Sequence, residues 1–323
     1  MIQNKTILIF GGTGSLGHEL NKRYLDNNII YNFSRDENKH WKMKIAFNNH
    51  KNLNFIIGNV IDKYNVSKTI QRINPHIIII ASAMKHIDQC EINTHDSINT
   101  NLIGTKNILD SVEEIQPINL ETVLFVSSDK ACSPINNYGM CKALSESLIV
   151  EKAFYIKNIK FVNVRYGNVL NSNGSIIPRL HLIGNDPKYT HFELTSEFMT
   201  RFVMTLEDSV DLIEHTILNA NSGDTVVSEL KSMNIIDLFE IFSEKYNKPI
   251  KITGLRSSEK LLESLINETQ SGRIKQIGKY THILSILEYN SIINIDILHD
   301  YNSKINPLSK KNLKDYLEHL KLL

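Results

Sequence analysis

Asp129 and Lys130 set an acid beside an amine, and Tyr138 follows with Lys142 four positions after it. On a helix that spacing puts the phenol and the ammonium on one face, where the cation can lower the phenol pKa toward that of a useful base. Together the four side chains suit coupled hydride and proton transfer. Tyr-x-x-x-Lys alone recurs by chance in chains of this size, and an adjacent Asp-Lys is commonly a solvated surface pair. Position gives them weight. Asp129 and Lys130 follow Ser127-Ser128 and the apolar run Thr122-Val123-Leu124-Phe125-Val126. That run reads as a buried strand, so the pair falls at a strand's carboxyl end, where open α/β sheets bind ligands. The stretch after Asn137 reads as a helix with Leu144, Leu148 and Ile149 on its apolar side.

The elements that must hold these groups repeat along the first half of the chain. Short apolar runs at Thr6–Phe10, Ile29–Phe33, Phe55–Ile57, Ile77–Ile80, Thr122–Val126 and Phe161–Val164 alternate with amphipathic stretches. β-branched runs without polar alternation predict strands covered on both faces, the pattern of a doubly wound parallel α/β sheet. Asp62 is a plausible N-cap before Val66 and Ile70, and Thr94 to Leu109 reads as a single helix. After Arg165 the rhythm gives way to loop chemistry at Gly167-Asn168 and Asn171-Ser172-Asn173-Gly174-Ser175. A helix from about Thr205 to Asn219 and a strand near Thr225 to Val227 rejoin the sheet. The expected division is residues 1–168 with about 203–230 in the nucleotide-binding domain. Residues 169–202 and 231–323 form a smaller discontinuous substrate lobe, helical over Asp237 to Tyr246 and from Lys310.

Between the first strand and the first helix lies Gly11-Gly12-Thr13-Gly14-Ser15-Leu16-Gly17. Glycines at 11, 14 and 17 let the backbone turn tightly and approach a pyrophosphate at a helix N-terminus. About 20 residues on, where an NAD enzyme offers a carboxylate to the ribose hydroxyls, the chain has Ser34-Arg35 with Lys39 nearby. A guanidinium fork and a hydroxyl suit a 2′-phosphate, so NADP is preferred, although Asp36 could instead serve the ribose.

Composition narrows the partners. Net charge is +1, with Lys+Arg 36 against Asp+Glu 35 and no long basic run, which argues against nucleic acid. Cys90, Cys132 and Cys141 are an odd set matching no zinc template, so neither a disulfide framework nor a metal is expected and a reducing compartment fits. Met1-Ile2-Gln3-Asn4-Lys5 runs straight into a strand, unlike a signal peptide. No segment reaches the ~18 uninterrupted apolar residues of a membrane span. A soluble cytoplasmic protein is expected.

The glycine loop, Ser34-Arg35-Asp36-Glu37, Ala81-Ser82-Ala83-Met84-Lys85-His86, Ser127-Ser128-Asp129-Lys130, Tyr138 to Lys142 and Arg165-Tyr166-Gly167-Asn168-Val169 together resemble the extended short-chain dehydrogenase/reductase superfamily. More narrowly they are similar to UDP-N-acetylglucosamine 4,6-dehydratases of bacterial surface-glycan pathways. The similarity continues through Met199-Thr200-Arg201-Phe202 and Gly254-Leu255-Arg256-Ser257-Ser258-Glu259-Lys260, nearly the whole chain.

The resemblance implies a Rossmann-type fold that keeps NADP bound through each turnover. It implies cofactor contacts from Gly11, Thr13, Gly14, Ser15, Leu16, Gly17, Ser34, Arg35, Asp36, Lys39, Asn59, Val60, Ala81, Ala83, Lys85, Asn101, Tyr138, Lys142 and Val169. Arg201 and Arg256 would meet the diphosphate of a UDP-sugar and Glu259 its uridine ribose, although Arg256 and Glu259 could simply pair with each other. Lys85, His86 and Asn168 would line the cleft near the sugar, and relatives assemble into dimers or hexamers. Two departures stand out. Asn59 replaces an aspartate common near the adenine, and Ser257-Ser258 replaces a proline and a glycine. The implied activity is C5-inverting 4,6-dehydration of UDP-N-acetylglucosamine, with Asp129, Lys130, Tyr138 and Lys142 catalytic. The alternatives are retention at C5, a UDP-glucose substrate, 4-epimerisation and a non-catalytic NADP-sensing module.

Overall fold

The computed structural model describes residues 1–287 and 299–323. In chain order the first half runs β1 (Thr6–Phe10), α1 (Ser15–Tyr24), β2 (Ile29–Ser34), α2 (Glu37–Ala46), β3 (Leu53–Ile57), α3 (Lys63–Ile73), β4 (Ile77–Ile80), α4 (Ile87–Ile92), α5 (Thr94–Ile98), α6 (Gly104–Ile115), β5 (Thr122–Val126), α7 (Asn137–Tyr155) and β6 (Lys160–Val164). There follow β7 (Asn168–Val169), α8 (Ile176–Asn185), β8 (Phe192–Leu194), β9 (Thr200–Met204), α9 (Leu206–Asn219), β10 (Thr225–Ser228), β11 (Lys231–Asn234), α10 (Ile235–Tyr246) and β12 (Ile250–Ile252). The chain closes with β13 (Ser264–Ile266), α11 (Glu268–Ser271), β14 (Ile274–Ile277), β15 (Tyr280–Ile283), β16 (Tyr301–Asn302), β17 (Pro307–Leu308) and α12 (Lys310–His319).

A nine-stranded sheet in the order β14-β15-β10-β6-β5-β4-β1-β2-β3 carries the fold, parallel from β10 to β3. Alternate side chains of each strand feed two cores, as a sheet covered on both faces requires. Ile7, Ile9, Ile77, Ile79, Leu124 and Val162 pack under Leu20 and Tyr24 of α1 and Val210 and Ile213 of α9. Leu8, Phe10, Ile78, Ile80, Val123 and Phe161 pack under Val66 and Ile70 of α3, Ile108 and Leu109 of α6, and Ile149 of α7. This is the Rossmann-type doubly wound parallel sheet that the apolar runs predict, with Asp62 capping α3 by accepting from the Asn65 amide.

Three features depart from expectation. The stretch read as one helix from Thr94 is interrupted by a π-helical turn at Asn99–Ile103, which separates α5 from α6. Asn101 in that turn is fully buried, and its side-chain amide accepts from the Met84 amide at 2.8 Å and donates to the Met84 carbonyl at 3.0 Å. The widened turn thus coincides with the two bonds by which Asn101 holds Met84. Second, β14 and β15 belong to the nine-stranded sheet, whereas the sequence pattern places residues 231–323 whole in the smaller lobe; β15 pairs antiparallel with β10. An antiparallel edge joins by backbone pairing alone and needs no crossover helix to announce it. Third, Val203 and Met204 lie in β9, within a second sheet of order β17-β11-β9-β7, and not in the large one. Residues 288–298 of the expected lobe lie outside the described residues. The lobe has its own core, in which Phe192, Leu194, Leu238 and Phe242 meet Leu313 and Leu317 of α12.

Candidate active site

The carboxyl ends of the parallel strands open into a cleft of about 960 Å³. Its floor is the glycine loop. Gly11 has φ +88° and passes so close to Ser82 that a Cβ would stand 2.6 Å from the Ser82 nitrogen. A Cβ on Gly17 would lie 2.0 Å from the Gly12 carbonyl oxygen, so Gly17 seats α1 against the loop and does not line the cleft. Gly14 is the N-cap of α1 and makes no side-chain cap hydrogen bond, leaving the first-turn amides available to an anion. A Cβ there would meet nothing nearer than 3.5 Å, so the space above the loop is open. The cradle fits a pyrophosphate.

At the end of β2, Ser34, Arg35, Asp36 and Lys39 all line the cleft. The Ser34 hydroxyl lies 2.9 Å from that of Thr13 and 2.6 Å from His40 Nε2, which ties the glycine loop to α2. Asp36 is the N-cap of α2: its carboxylate accepts from the Lys39 amide at 3.1 Å and stands 3.8 Å from Lys39 Nζ. Further along are Ser15, Leu16, Asn59, Val60, Ala81, Ala83, Lys85, His86, Asn168 and Val169. The loop before α8 reaches back over this end: the Asn173 amide donates to Ser15 Oγ and Lys85 Nζ donates to the Asn173 carbonyl.

Asp129, Lys130, Tyr138 and Lys142 converge at the far side of the same cleft. Asn136 caps α7 by accepting from the Gly139 amide at 2.8 Å, which places Tyr138 in the first turn, beside the end of β5. Lys142 points beneath it. Its ammonium donates to the Val126 carbonyl at 2.8 Å and lies 4.4 Å from the centre of the Phe125 ring. Burial pulls its pKa down to about 8, with Glu146 opposing. The Tyr138 phenol is raised, first by burial and then by the Asp129 charge. This corrects the expectation that Lys142 lowers it: the phenol faces a carboxylate, while the lysine spends its charge on a backbone carbonyl.

Lys130 Nζ lies 3.0 Å from Asp129 Oδ1, 3.3 Å from Asn168 Oδ1 and 3.7 Å from Glu263 Oε1. Burial lowers its pKa, but Asp129 and Glu263 together outweigh burial and hold it above the ordinary lysine value. Asp129 is fully buried; Ser128 Oγ donates to its Oδ1 at 2.8 Å, whereas Oδ2 has no hydrogen-bond partner. A carboxylate oxygen left unpartnered in the interior is costly unless something arrives to use it.

Four further expected residues lie off the cleft lining. Asn101 is occupied with Met84 and supports the loop after β4 from behind. Arg201 donates to the Thr200 carbonyl at 2.7 Å and the Lys260 carbonyl at 2.9 Å, so its guanidinium clamps the backbone of the 260–261 segment. Arg256 bridges to both oxygens of Asp88 at 2.8 and 3.0 Å on an exposed rim, and Glu259 stands beside it, 4.0 Å from Nη1. Each guanidinium has found a partner within the chain; spacing discloses Glu259 for Arg256, but neither Asp88 nor the 260–261 backbone.

Groups to which the sequence motifs assign no role of their own also belong to the site. Ser127, Ser128, Thr100 and Tyr166 line the cleft. The Tyr166 phenol is raised by burial and by Tyr138. Glu146 receives Arg165 in a buried fork at 2.8 and 2.6 Å, and it lies four residues beyond Lys142 on one helical face, a signal that was available. Glu263 offered none; it is far from Lys130 in the chain.

A glycine loop at the first strand-helix junction of a parallel sheet, with Tyr138 and Lys142 over the fifth strand, defines a protein of the extended short-chain dehydrogenase/reductase fold. The chain belongs to the polysaccharide biosynthesis protein family, which it matches over residues 7–285. It is 35% identical to a UDP-glucose 4-epimerase of Rickettsia rickettsii (strain Sheila Smith), over 88% of this chain and 84% of that one. It is 33% identical to the UDP-N-acetylglucosamine 4,6-dehydratase (inverting) of Campylobacter jejuni subsp. jejuni serotype O:23/36 (strain 81-176), over 99% of both chains. Among solved structures, Pen from Bacillus thuringiensis superposes with a TM-score of 0.89 at 29% identity, covering 99% of each chain. Among the described residues no helix is long and apolar enough to cross a membrane.

Proposed function

We propose that the protein is an NADP-dependent UDP-N-acetylglucosamine 4,6-dehydratase that inverts C5. The observation that carries this reading is the pair of buried Asp129 and part-buried Lys130 facing the same cleft as Tyr138. Oxidation at C4 needs only a base for the hydroxyl proton. Dehydration needs in addition an acid for the leaving hydroxyl and a base for C5, and the pair supplies one of each. Full-length similarity to the Campylobacter jejuni enzyme supports both the substrate and the inversion. NADP over NAD is supported by Arg35 and Lys39 in the lining, with Asp36 engaged as the cap of α2.

When bound, NADP supplies reversible hydride acceptance, from C4 of the sugar and back to C6. Tyr138 would take the proton of the 4-hydroxyl as a phenolate, a form that the positive charge of bound NADP⁺ would favour against burial and Asp129, and Lys142 fixes the start of α7 to the end of β5. With C4 a ketone, the C5 proton is acidic; the Lys130 amine removes it while Asp129 protonates the departing 6-hydroxyl, which leaves as water. A proton delivered to the opposite face of C5 completes the inversion. Lys85, His86 and Asn168 orient the sugar. Arg201, Arg256 and Glu259 meet the UDP after leaving their present partners, and Asn101 serves the cofactor only through the loop that it pins. The body is residues 1–168 with about 205–230 and the β14–β15 hairpin, closed by the remaining lobe, in a homo-oligomer.

Proton NMR with UDP-N-acetylglucosamine in deuterated water tests the reading. A new 6-methyl signal, deuterium at C5 and the couplings of the L-arabino sugar are the expected result. The same methyl on a D-xylo sugar removes the inversion. A second reading, 4-epimerisation, is favoured by similarity to the Rickettsia enzymes; it predicts a new sugar of unchanged mass and no methyl.

A further inference from the structure

Lys130 meets two carboxylates. Asp129 borders the cleft, whereas Glu263 lies behind the lysine, outside the lining, from the segment just before β13. Glu263 is 2% exposed, and its Oε2 has no hydrogen-bond partner. Its place is built: the Glu263 amide donates to Ser303 Oγ at 3.0 Å, the Ser303 amide donates to the Glu263 carbonyl at 2.8 Å, and Ser303 Oγ lies 2.7 Å from Thr200 Oγ1. The charged and titratable groups around the pair are Asp129 on the lysine's own turn, Arg201 from β9, Lys260, and, through Asp129, Tyr138 from α7. Lys260 Nζ stands 3.7 Å from Glu263 Oε2 and donates to the Cys132 carbonyl at 2.9 Å.

We propose that Glu263 is a positioning residue for the C5 chemistry: from behind Lys130 it holds the amine toward the sugar and makes that amine a stronger base. This rests on the dehydratase reading. One proton passes from Lys130 Nζ to Asp129, which leaves a neutral amine and a carboxylic acid 3.0 Å apart. The amine takes the C5 proton, the electron pair left on C5 expels the C6 oxygen, and Asp129 returns its proton to that oxygen as water departs. Glu263 keeps its charge throughout. An anion at 3.7 Å favours the ammonium that forms as C5 is deprotonated, so it strengthens the base without touching substrate. The ammonium lies higher than an ordinary lysine despite its burial, in keeping with that role.

The test is the pH dependence of 6-methyl formation and C5 deuteration in Glu263→Gln, Glu263→Asp and Lys260→Met, with the Lys130 13Cε shift titrated in the absence of substrate. In Glu263→Gln the basic limb and the Lys130 titration should move to lower pH by on the order of one unit, with a lower plateau rate. Glu263→Asp should stay near the wild type. Lys260→Met removes the cation opposing Glu263 and should move the limb the other way, so the test survives if Glu263→Gln does not fold. An unmoved limb and titration in folded Glu263→Gln, or in Lys260→Met, overturns the proposal. Wild-type protein that forms no methyl overturns the dehydratase reading instead, and the 13Cε titration still decides whether Glu263 governs Lys130.

Discussion

Two buried cation–carboxylate groups sit at the ends of neighbouring strands and do opposite things. Beyond β6, Arg165 forks onto Glu146 through Nε and Nη2, and its Nη1 donates to the Leu265 carbonyl and Gln270 Oε1, at 2.9 and 2.8 Å. Burial lowers the guanidinium pKa, yet Glu146 raises it further, and both oxygens of Glu146 accept from it in the interior. Beyond β5, Lys130 lies between Asp129 and Glu263, each with an oxygen that accepts no hydrogen bond. A planar fork that satisfies its carboxylate welds the large sheet to the segment around α11. A single ammonium held by Asp129 and Asn168 lines the cleft, where a substrate can reach it and its carboxylate partner. Completeness of hydrogen bonding, more than burial or charge, separates the weld from the site.

The largest effect should come from the open group. Asp129→Asn or Tyr138→Phe should lower turnover by about 10²–10⁴-fold, the usual worth of a general acid or base, with little change in the unfolding midpoint. A progress curve of 6-methyl formation beside a denaturant titration checks both halves; an unfolded Asp129→Asn would erase the contrast. The closed group should behave inversely. Arg165→Met strands Glu146 in the interior and should cost about 3–5 kcal/mol of stability, and the double variant Arg165→Met/Glu146→Leu should recover most of it. Equilibrium unfolding in urea measures that recovery.

Lys142 sharpens the comparison as a buried cation whose donor goes to a backbone carbonyl. Its folded pKa, about 8, lies below the ordinary 10.5, so the unfolded chain holds the extra proton between those values. Stability should therefore rise with pH from about 8 to about 10.5 and be lost as pH falls back through about 8. Lys142→Met should flatten that rise, worth on the order of 3 kcal/mol across the window, as read from urea midpoints at several pH values. The exposed Arg256–Asp88 pair is the control, with side chains 46% and 53% exposed. Asp88→Ala should change stability by less than about 1 kcal/mol. Calorimetry should register this as the smallest shift of the series.

Much of the site was legible because its signals are local. The glycine loop announces itself by spacing, the strand ends by apolar runs, and Tyr138 and Lys142 by helical periodicity. Arg201 and Arg256 were legible as cations, but their partners were not: the 260–261 backbone and Asp88 come from distant segments. Asn101 was read as a cofactor contact because its position in the chain resembles one, whereas the π-turn turns it onto Met84.

The sequence by itself determined the parallel sheet, the phosphate cradle and the placement of an acid, an amine and a phenol beside one strand end. Each depends on residues close together in the chain, where backbone geometry and periodicity leave few alternatives. Only the tertiary structure decided that the edge hairpin joins the large sheet, that Lys142 turns its charge from Tyr138 to Val126, and that Glu263 stands behind Lys130. Those outcomes depend on which distant groups pack together, and on the need of every buried polar atom for a partner.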